Sequence, residues 1–205
     1  MKKYLIHFAC TLIITITSHA QSITFPLEEY YKNNNDKINN AYFKDVNGLL
    51  DKYLGTWEYN ENGHYLKIQF FKVLNNPMHP SNSIIKMQQY CDVIYARFEY
   101  KKNGVTIYNT LNPSDDSTKW FIRSSCESIS VYPNKLLLYY KEPSSNPCGR
   151  IIRGSVNIEY SNTGGIEKLS WVRSYRRSSS SCMDDLIADH TPFQIPSKMT
   201  LIKID

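Results

Sequence analysis

Apolar and polar residues alternate along most of the chain after Gly55, as they do in strands that bury one face. Within residues 64–74 the even positions are the more apolar, so Leu66, Ile68 and Phe70 are predicted to point inward. Turn residues separate the alternating stretches at short intervals. Three of these separators contain Asn, end in Gly and predict β-hairpins: residues 60–63, 103–104 and 162–165.

Roughly nine or ten such stretches follow one another, and no long amphipathic helix interrupts them. This succession predicts an all-β fold, in which residues 42–205 form one domain, a single antiparallel β-barrel of about 8–10 strands. A flattened β-sandwich is the alternative. Residues 21–41 are polar and rich in Asn, without an apolar period, and are predicted to form a flexible lead-in.

The N-terminal residues carry the three parts of a secretory signal. Lysines at residues 2–3 precede an apolar run of about 14 residues, and residues 18–20 end it with small side chains. We predict that residues 1–20 are a signal peptide, removed between Ala20 and Gln21, and that the mature protein is periplasmic or secreted. The alternative is an uncleaved anchor, but the run is shorter than the ~20 residues that span a bilayer.

The net charge excludes one class of partner. Removing two N-terminal lysines from the 24 basic residues leaves 22 against 19 acidic residues, a balance of +3. The aromatic residues are spread through the strands and do not interleave with a basic stripe, so no nucleic-acid partner is expected. Arg173, Arg176 and Arg177 form a small basic cluster. It could hold an anion, or it could mark a strand end that meets solvent.

Four cysteines remain after signal removal, and in an exported chain they predict disulfides. If the hairpin centred on residue 163 forms, Cys148 and Cys182 lie at its open end, and we predict a bridge between them. Cys91 and Cys126 are the second candidate pair, which the expected strand geometry does not favour. Cys91 alone is interpreted as a small buried hydrophobe.

No pattern of catalytic or metal-binding residues is present. The chain lacks C-x-x-C, G-x-S-x-G and phosphate-binding glycine motifs. The acid pairs at 115–116 and 184–185 lie in predicted loops, and Glu142 carries no signal of its own. We therefore predict no catalytic residue, no metal and no cofactor, and a protein that is not an enzyme. The three histidines of the mature chain are isolated: His64, His79 and His190.

The segment around Gly55 resembles the start of a lipocalin barrel. In that family a short helical turn leads into Gly-x-Trp on the first strand, and here residues 42–54 lead into Gly55 and Trp57. Gly55 would permit a tight backbone path, and Trp57 would close one end of the core. The resemblance also implies a cation stacked on the Trp. The closing strand offers Lys203, and the strand before it offers Arg173, to which we assign that role.

The whole plan also resembles an uncharacterised family of small exported Bacteroidota proteins, which is known only as a domain of unknown function. The resemblance covers nearly the full mature chain. Its matching features are short and are these: a signal that ends in Ala20-Gln21, Lys44-Asp45 before the Gly-Thr-Trp strand, Cys148-Gly149 before a late hairpin, and a closing strand after Ile195-Pro196.

Two functions stay open. The lipocalin resemblance implies a non-catalytic binding module that holds a small apolar or amphipathic ligand in the barrel mouth, and the 16 tyrosines suit such a pocket. The alternative is a protein-interaction or inhibitor-like module of the cell envelope, acting through loops at 75–83, 112–118 and 176–197. No membrane span is expected after signal removal. A hollow barrel would favour the first function.

Overall fold

The computed structural model describes residues 22–78, 87–112, 121–130, 135–143, 153–176 and 193–205. The predicted signal peptide, its predicted cleavage site and the predicted Cys148–Cys182 bridge lie outside these residues. The strands are β1 (Thr24–Pro26), β2 (Ala41–Lys44), β3 (Gly55–Glu61), β4 (His64–Pro77), β5 (Gln89–Lys102), β6 (Val105–Asn109), β7 (Ile122–Arg123), β8 (Lys135–Lys141), β9 (Arg153–Thr163), β10 (Ile166–Arg176) and β11 (Lys198–Lys203).

Helix is almost absent from the described residues. One α-helical turn, α1 (Glu127–Ser130), and three short 3-10 helices complete the elements; the 3-10 helices span Leu27–Glu29, Lys32–Lys37 and Asp51–Tyr53. None of the helices in this part of the chain combines the length and apolar character that crossing a membrane requires.

Eight of the strands form a closed antiparallel barrel. They pair in chain order, as β3, β4, β5, β7, β8, β9, β10 and β11, and β11 pairs back with β3. The last contact is short, with Ile202 opposite Glu58 and Lys203 opposite Trp57. The antiparallel barrel predicted from the alternation is therefore confirmed, and β1, β2 and β6 are additional strands outside the ring.

Strand β5 joins the first two strands of the barrel to the last five, because it pairs with both β4 and β7. One edge pairs with β4, while the other edge is shared in turn by β2, β7 and β6. Two residues extend the ladder on this edge through both backbone and side chain. The Ser124 amide donates to the Ile94 carbonyl at 2.8 Å, and Ser124 Oγ accepts from the Ile94 amide at 2.8 Å. The Thr110 amide likewise donates to the Phe98 carbonyl at 2.7 Å, and Thr110 Oγ1 accepts from the Phe98 amide at 2.8 Å. Unpaired amides at this buried edge would be costly, so these hydroxyls stabilise a closure in which β7 supplies only two residues.

The structure corrects the expectation of a flexible lead-in over residues 21–41. From Thr24 this segment joins the fold, because β1 runs parallel to β2 and β2 runs parallel to β5. Leu27 and Tyr30 are buried, and the Phe43 ring stacks on Phe25 with centroids 5.6 Å apart. The prediction was wrong because this segment changes from strand to 3-10 turns within a few residues, which leaves no single apolar period to recognise.

Inward-facing side chains fill the barrel that the described residues line. The predicted inward face of β4 is confirmed for Leu66, Ile68 and Phe70, which are buried. The prediction was wrong for Leu74, the last even position of the stretch, which is 62% exposed just before the register of β4 on β5 shifts. The rings of Tyr140 and Trp171 meet edge to face near the centre, with centroids 6.3 Å apart. The largest fully buried side chains on the barrel strands are Trp57, Trp171, Tyr100, Tyr140, Phe70 and Phe98. This part of the interior is therefore a packed core, as small eight-stranded barrels allow.

The Gly-x-Trp segment enters the barrel as the sequence indicated. Gly55 has φ +102°, a conformation that L-residues rarely adopt, and a Cβ there would lie 2.8 Å from an Asp205 carboxylate oxygen. Trp57 is fully buried, and its indole N–H donates to the Tyr53 carbonyl at 2.9 Å. The Trp57 indole ring closes one end of the core, beside the 3-10 turn that precedes β3.

The cation on Trp57 is Lys203 and not Arg173, which corrects the assignment made by resemblance. Lys203 Nζ lies 5.5 Å from the Trp57 ring centroid and forms an ion pair with Glu167 at 3.1 Å. Arg173 lies six residues further along β10 than Glu167, which amounts to ~20 Å of strand. Its guanidinium stacks on Phe193 at 3.7 Å. The register of β10 on β11 decides this, and the register was not visible in the sequence.

A disulfide joins Cys91 and Cys126, with their Cα atoms 5.9 Å apart. This is the second candidate pair, and the expectation that strand geometry does not favour it is wrong. Cys91 is fully buried, as interpreted, but as half of a disulfide. Tyr95 faces Arg123 in the pairing of β5 with β7, so the chain that continues past β7 runs back along β5 toward Cys91. The sequence did not reveal this because a strand of two residues has no alternation to detect.

We expect the Cys91→Ser/Cys126→Ser double variant to lose roughly 3–4 kcal/mol of unfolding free energy, since the bridge closes a loop of about 35 residues. Urea denaturation of the non-reduced protein measures the loss. Peptide mapping without reduction should recover Cys91 linked to Cys126; a link from Cys91 to any other cysteine would contradict the structure.

Candidate functional site

A cleft of about 380 Å³ opens where β7, β8 and β9 lie side by side. Arg123 is opposite Tyr139, and Lys141 is opposite Arg153. Directly opposed residues project to the same side of a sheet, so these four side chains share the outer face of the barrel. We call this feature the outer cleft, and its lining residues are Phe121, Arg123, Tyr139, Tyr140, Lys141, Arg153 and Gly154.

The outer cleft has aromatic walls. The Tyr139 side chain is 41% exposed, and Phe121 beside it is half-buried. Gly154 lies opposite Tyr140, and a Cβ on Gly154 would lie 2.7 Å from the Ser174 carbonyl oxygen. Glycine therefore lets β9 and β10 approach closely at this point. A cleft of this size lies within the ~300–1,000 Å³ range of small-molecule sites.

The outer cleft is also positively charged. Arg123 and Arg153 are exposed, and Lys141 Nζ lies 5.8 Å from the centroid of the Phe121 ring. Within the described ranges, none of the three cations forms an ion pair with a carboxylate. In the pairing of β9 with β10, Arg176 lies opposite Arg153.

A buried carboxylate lies at the same end of the barrel, just after β8. Glu142 is 1% exposed, and its Oε1 accepts three hydrogen bonds. The donors are the Gln194 amide at 2.8 Å, the Ile195 amide at 3.3 Å and the Tyr140 hydroxyl at 3.2 Å. We call residues 193–197, the segment that precedes β11, the strap. Glu142 therefore holds the strap against the barrel through its backbone.

Two further groups bind the strap from the barrel side. Arg173 donates from Nη2 to the Ile195 carbonyl at 3.2 Å, and its ring partner Phe193 belongs to the strap. The Tyr100 hydroxyl donates to the Gln194 carbonyl at 2.6 Å, and His64 Nδ1 lies 2.6 Å from the same hydroxyl. These bonds satisfy backbone groups of Gln194 and Ile195, and the Ser197 carbonyl accepts from the Arg173 amide of β10 at 2.7 Å.

Burial dominates the electrostatics beneath the strap. Desolvation raises the pKa of Glu142 and lowers that of Arg173, and it raises the pKa of Tyr140 well above its usual value. Three buried polar atoms of this network have no hydrogen-bond partner among the described residues: Glu142 Oε2, Trp171 Nε1 and Arg173 Nε. The carboxyl acts as an acceptor for the strap, and the Tyr140 phenol stays protonated. These groups have a structural role, and we call Glu142 and Arg173, with their hydrogen bonds to the strap, the latch.

The Lys44-Asp45 motif has a structural role at the far side of the fold. Asp45 accepts from the amides of Leu49 and Leu50 at 2.7 and 3.1 Å, and from Lys72 Nζ at 2.8 Å. Asp92 in turn accepts from the Asp45 amide at 3.0 Å. These bonds fix the turn before the third 3-10 helix. Among the described residues, no group of three His, Cys, Asp or Glu side chains could hold a metal ion.

Sequence reasoning missed both the outer cleft and the latch. Glu142 gave a usable signal, because it continues the even-numbered inward face of Leu136, Leu138 and Tyr140. An acid in phase with buried residues indicates a satisfied buried carboxylate. The outer cleft gave no such signal, since it depends on which residues of separate strands lie opposite one another.

Comparison with known proteins places the chain in a group without an assigned activity. The family model named DUF6705, described as a family of unknown function, matches residues 1–204. No curated protein and no solved structure matches the chain. Any function must therefore be argued from the geometry of the outer cleft and the surfaces around it.

We expect Glu142 to make the unfolding free energy depend on pH. Its raised folded pKa means that the folded protein holds this proton more tightly than the unfolded chain, whose ordinary value is 4.5. The group therefore favours folding below about pH 4.5, and that contribution is lost as the pH rises through the folded pKa. Glu142→Gln cannot ionise and should gain stability relative to the wild type over this interval.

Urea midpoints of both proteins between pH 4 and pH 8 measure the effect. Glu61→Gln is the matched control, since Glu61 is exposed in the β3–β4 hairpin. The difference in urea midpoint between Glu142→Gln and the wild type should change with pH. A constant difference, or the same change in the Glu61→Gln control, would contradict a raised pKa for Glu142.

Proposed function

The chain belongs to DUF6705, because the family model spans nearly all of it, and we propose that this member is an exported, non-catalytic binding module for a small amphipathic ligand. The observation that carries the proposal is the outer cleft. It brings the partly exposed ring of Tyr139 together with cations on adjacent strands, in a volume of about 380 Å³. Aromatic walls take an apolar body, and the cations face a polar end.

The ligand is placed on the outer face because the described interior is occupied. Trp57 and Trp171, both fully buried, fill the core where a lipocalin-like ligand would lie. The strap adds Phe193, whose ring stacks on Tyr140 with centroids 5.7 Å apart. A ligand in the interior would have to displace these rings, and their packing contributes several kcal/mol each. The outer cleft requires no such displacement.

Export is supported by two independent features. Residues 1–20 carry the tripartite signal pattern, and the mature part holds the Cys91–Cys126 disulfide. Disulfides persist in oxidising compartments and are rare in the cytosol. Glu142 supports a non-catalytic role. This buried acid accepts hydrogen bonds from the strap and is not among the lining residues of the outer cleft.

Binding is tested with the processed full chain and two single-chain amphiphiles, dodecanoate and monododecanoylglycerol, below their aggregation concentrations. Isothermal titration calorimetry should show saturable binding of at least one probe at one site. Tyr139→Ala should weaken it roughly tenfold, since it removes an aromatic wall worth ~1–2 kcal/mol.

Tyr65→Ala is the control, because Tyr65 is a partly buried tyrosine on β4, away from the outer cleft. Failure of both probes to bind, or an equal loss in the two variants, would overturn the proposal.

A second candidate function is a protein interaction through β6. This strand pairs with β5, and no second strand lies beside it in the part of the chain described. Its side chains Val105 and Ile107 are 63% and 38% exposed. An open edge with exposed apolar residues suits a partner that donates a β-strand.

Pull-down of the tagged wild-type chain from an envelope fraction should recover one copy of such a partner per chain. Pull-down of the Ile107→Lys variant should recover none. Ile202→Lys is the matched control, since Ile202 is also 38% exposed but lies on β11, between two paired strands. Equal recovery with Ile107→Lys would reject the β6 surface.

A further inference from the structure

The cross-strand charge pairs on the barrel surface follow one rule. Lys135 on β8 lies opposite Glu159 on β9, and the two form an ion pair at 3.3 Å. Lys67 lies opposite Glu58, and these charges are 3.8 Å apart. Directly opposed residues of an antiparallel pair interact, and opposite charges there are favourable.

The outer cleft breaks this rule on the same two strands. Six residues beyond Lys135, Lys141 on β8 lies opposite Arg153 on β9, so two cations face each other where a cation and an acid would be favourable. Arg123 adds a third positive charge from β7. Among the described residues no carboxylate pairs with any of the three. The row is unfavourable in the empty protein, and an anion between the cations would relieve it.

The second surface hollow provides a contrast. It has a volume of about 310 Å³ and also contains a lysine and a tyrosine, Lys101 and Tyr65. There the Lys101 ammonium pairs with Glu99 at 3.2 Å, and the Tyr65 hydroxyl donates to Glu58 at 2.7 Å. The lysine and the tyrosine of that hollow therefore already have protein partners. Unpaired charge therefore distinguishes the outer cleft from a surface hollow of similar size.

The chemistry of the cations defines the ligand group. An arginine binds carboxylate, sulfate or phosphate oxygens through two parallel N–H donors, and a lysine adds a point charge. The aromatic wall of Tyr139 lies two residues from Lys141 on the same face of β8. A ligand with an acidic head between the cations can therefore lay its apolar part against the rings.

We propose that Lys141, Arg153 and Arg123 form an anion site that binds the acidic head group of the amphipathic ligand. This inference rests on the proposed binding function and makes it specific: the ligand is an amphipathic carboxylate, sulfate or phosphate. The Lys141–Arg153 pair is the centre of the site, and Arg123 flanks it across β8.

The test compares dodecanoate with monododecanoylglycerol, which share a chain length but differ in the charge of the head. The wild type should bind dodecanoate at least tenfold more tightly than the neutral probe. The Lys141→Gln/Arg153→Gln variant should bind the two probes equally. Raising sodium chloride from 50 to 500 mM should weaken the binding of dodecanoate to the wild type but not the binding of the neutral probe, because salt screens charge pairs.

The control is Lys135→Gln, which removes one cation from the same strand pair and should leave both affinities unchanged. The unfolding of the protein without ligand tests the charge rule. Lys135→Gln should lower the thermal unfolding midpoint, because it removes the ion pair with Glu159. Arg153→Gln should raise the midpoint or leave it unchanged, because Arg153 is exposed and lies opposite another cation. A midpoint lowered in Arg153→Gln would mean that this arginine already has a favourable partner, and would overturn the anion site.

The outcomes separate the two proposals. Equal binding of the two probes to the wild type would overturn the anion site and leave the binding module in place. Binding of neither probe would overturn both. Tight dodecanoate binding that survives in Lys141→Gln/Arg153→Gln would place the anion elsewhere and reject the site.

Discussion

The rest of the structure depends on the closure of the barrel between β5 and β7. Only Tyr95–Ala96 on one strand and Ile122–Arg123 on the other pair there, and Ser124 extends the ladder through its hydroxyl. The disulfide from Cys91 to Cys126 holds the chain just past this junction. Because a barrel with an open edge would leave buried amides without partners, this short contact decides whether the sheet is a ring.

Closure has a direct consequence for binding. The ring is narrow enough for side chains to fill it, so the interior is occupied by aromatic rings and the strap lies across one end, held by Glu142 and Arg173. The ligand site that we propose therefore lies on the outside of the barrel. The short β7 creates such a place, since beside it the outer faces of β8 and β9 are left as the walls of a cleft.

The charges along β8 and β9 differ between the end that pairs its own charges and the end that holds the proposed anion site. At one end the strand pair satisfies its own charges, as Lys135 does with Glu159. At the other end it sets Lys141 against Arg153, which costs stability in the isolated protein. Local departures from a rule that the rest of the sheet obeys are commonly found where a protein binds something, because the ligand supplies the missing partner.

The sequence alone determined the all-β class, the hairpins at the Asn-Gly turns and the inward face of β4, because these depend on neighbouring residues along one strand. The burial of Glu142 could also have been predicted, because Glu142 continues the even-numbered inward face that contains Tyr140. Tertiary structure decided which strands closed the ring, that Cys91 met Cys126, and that Lys203, not Arg173, covered Trp57. These contacts depend on the register between strands distant in the chain, and alternation with a period of two is the same for every even shift of that register.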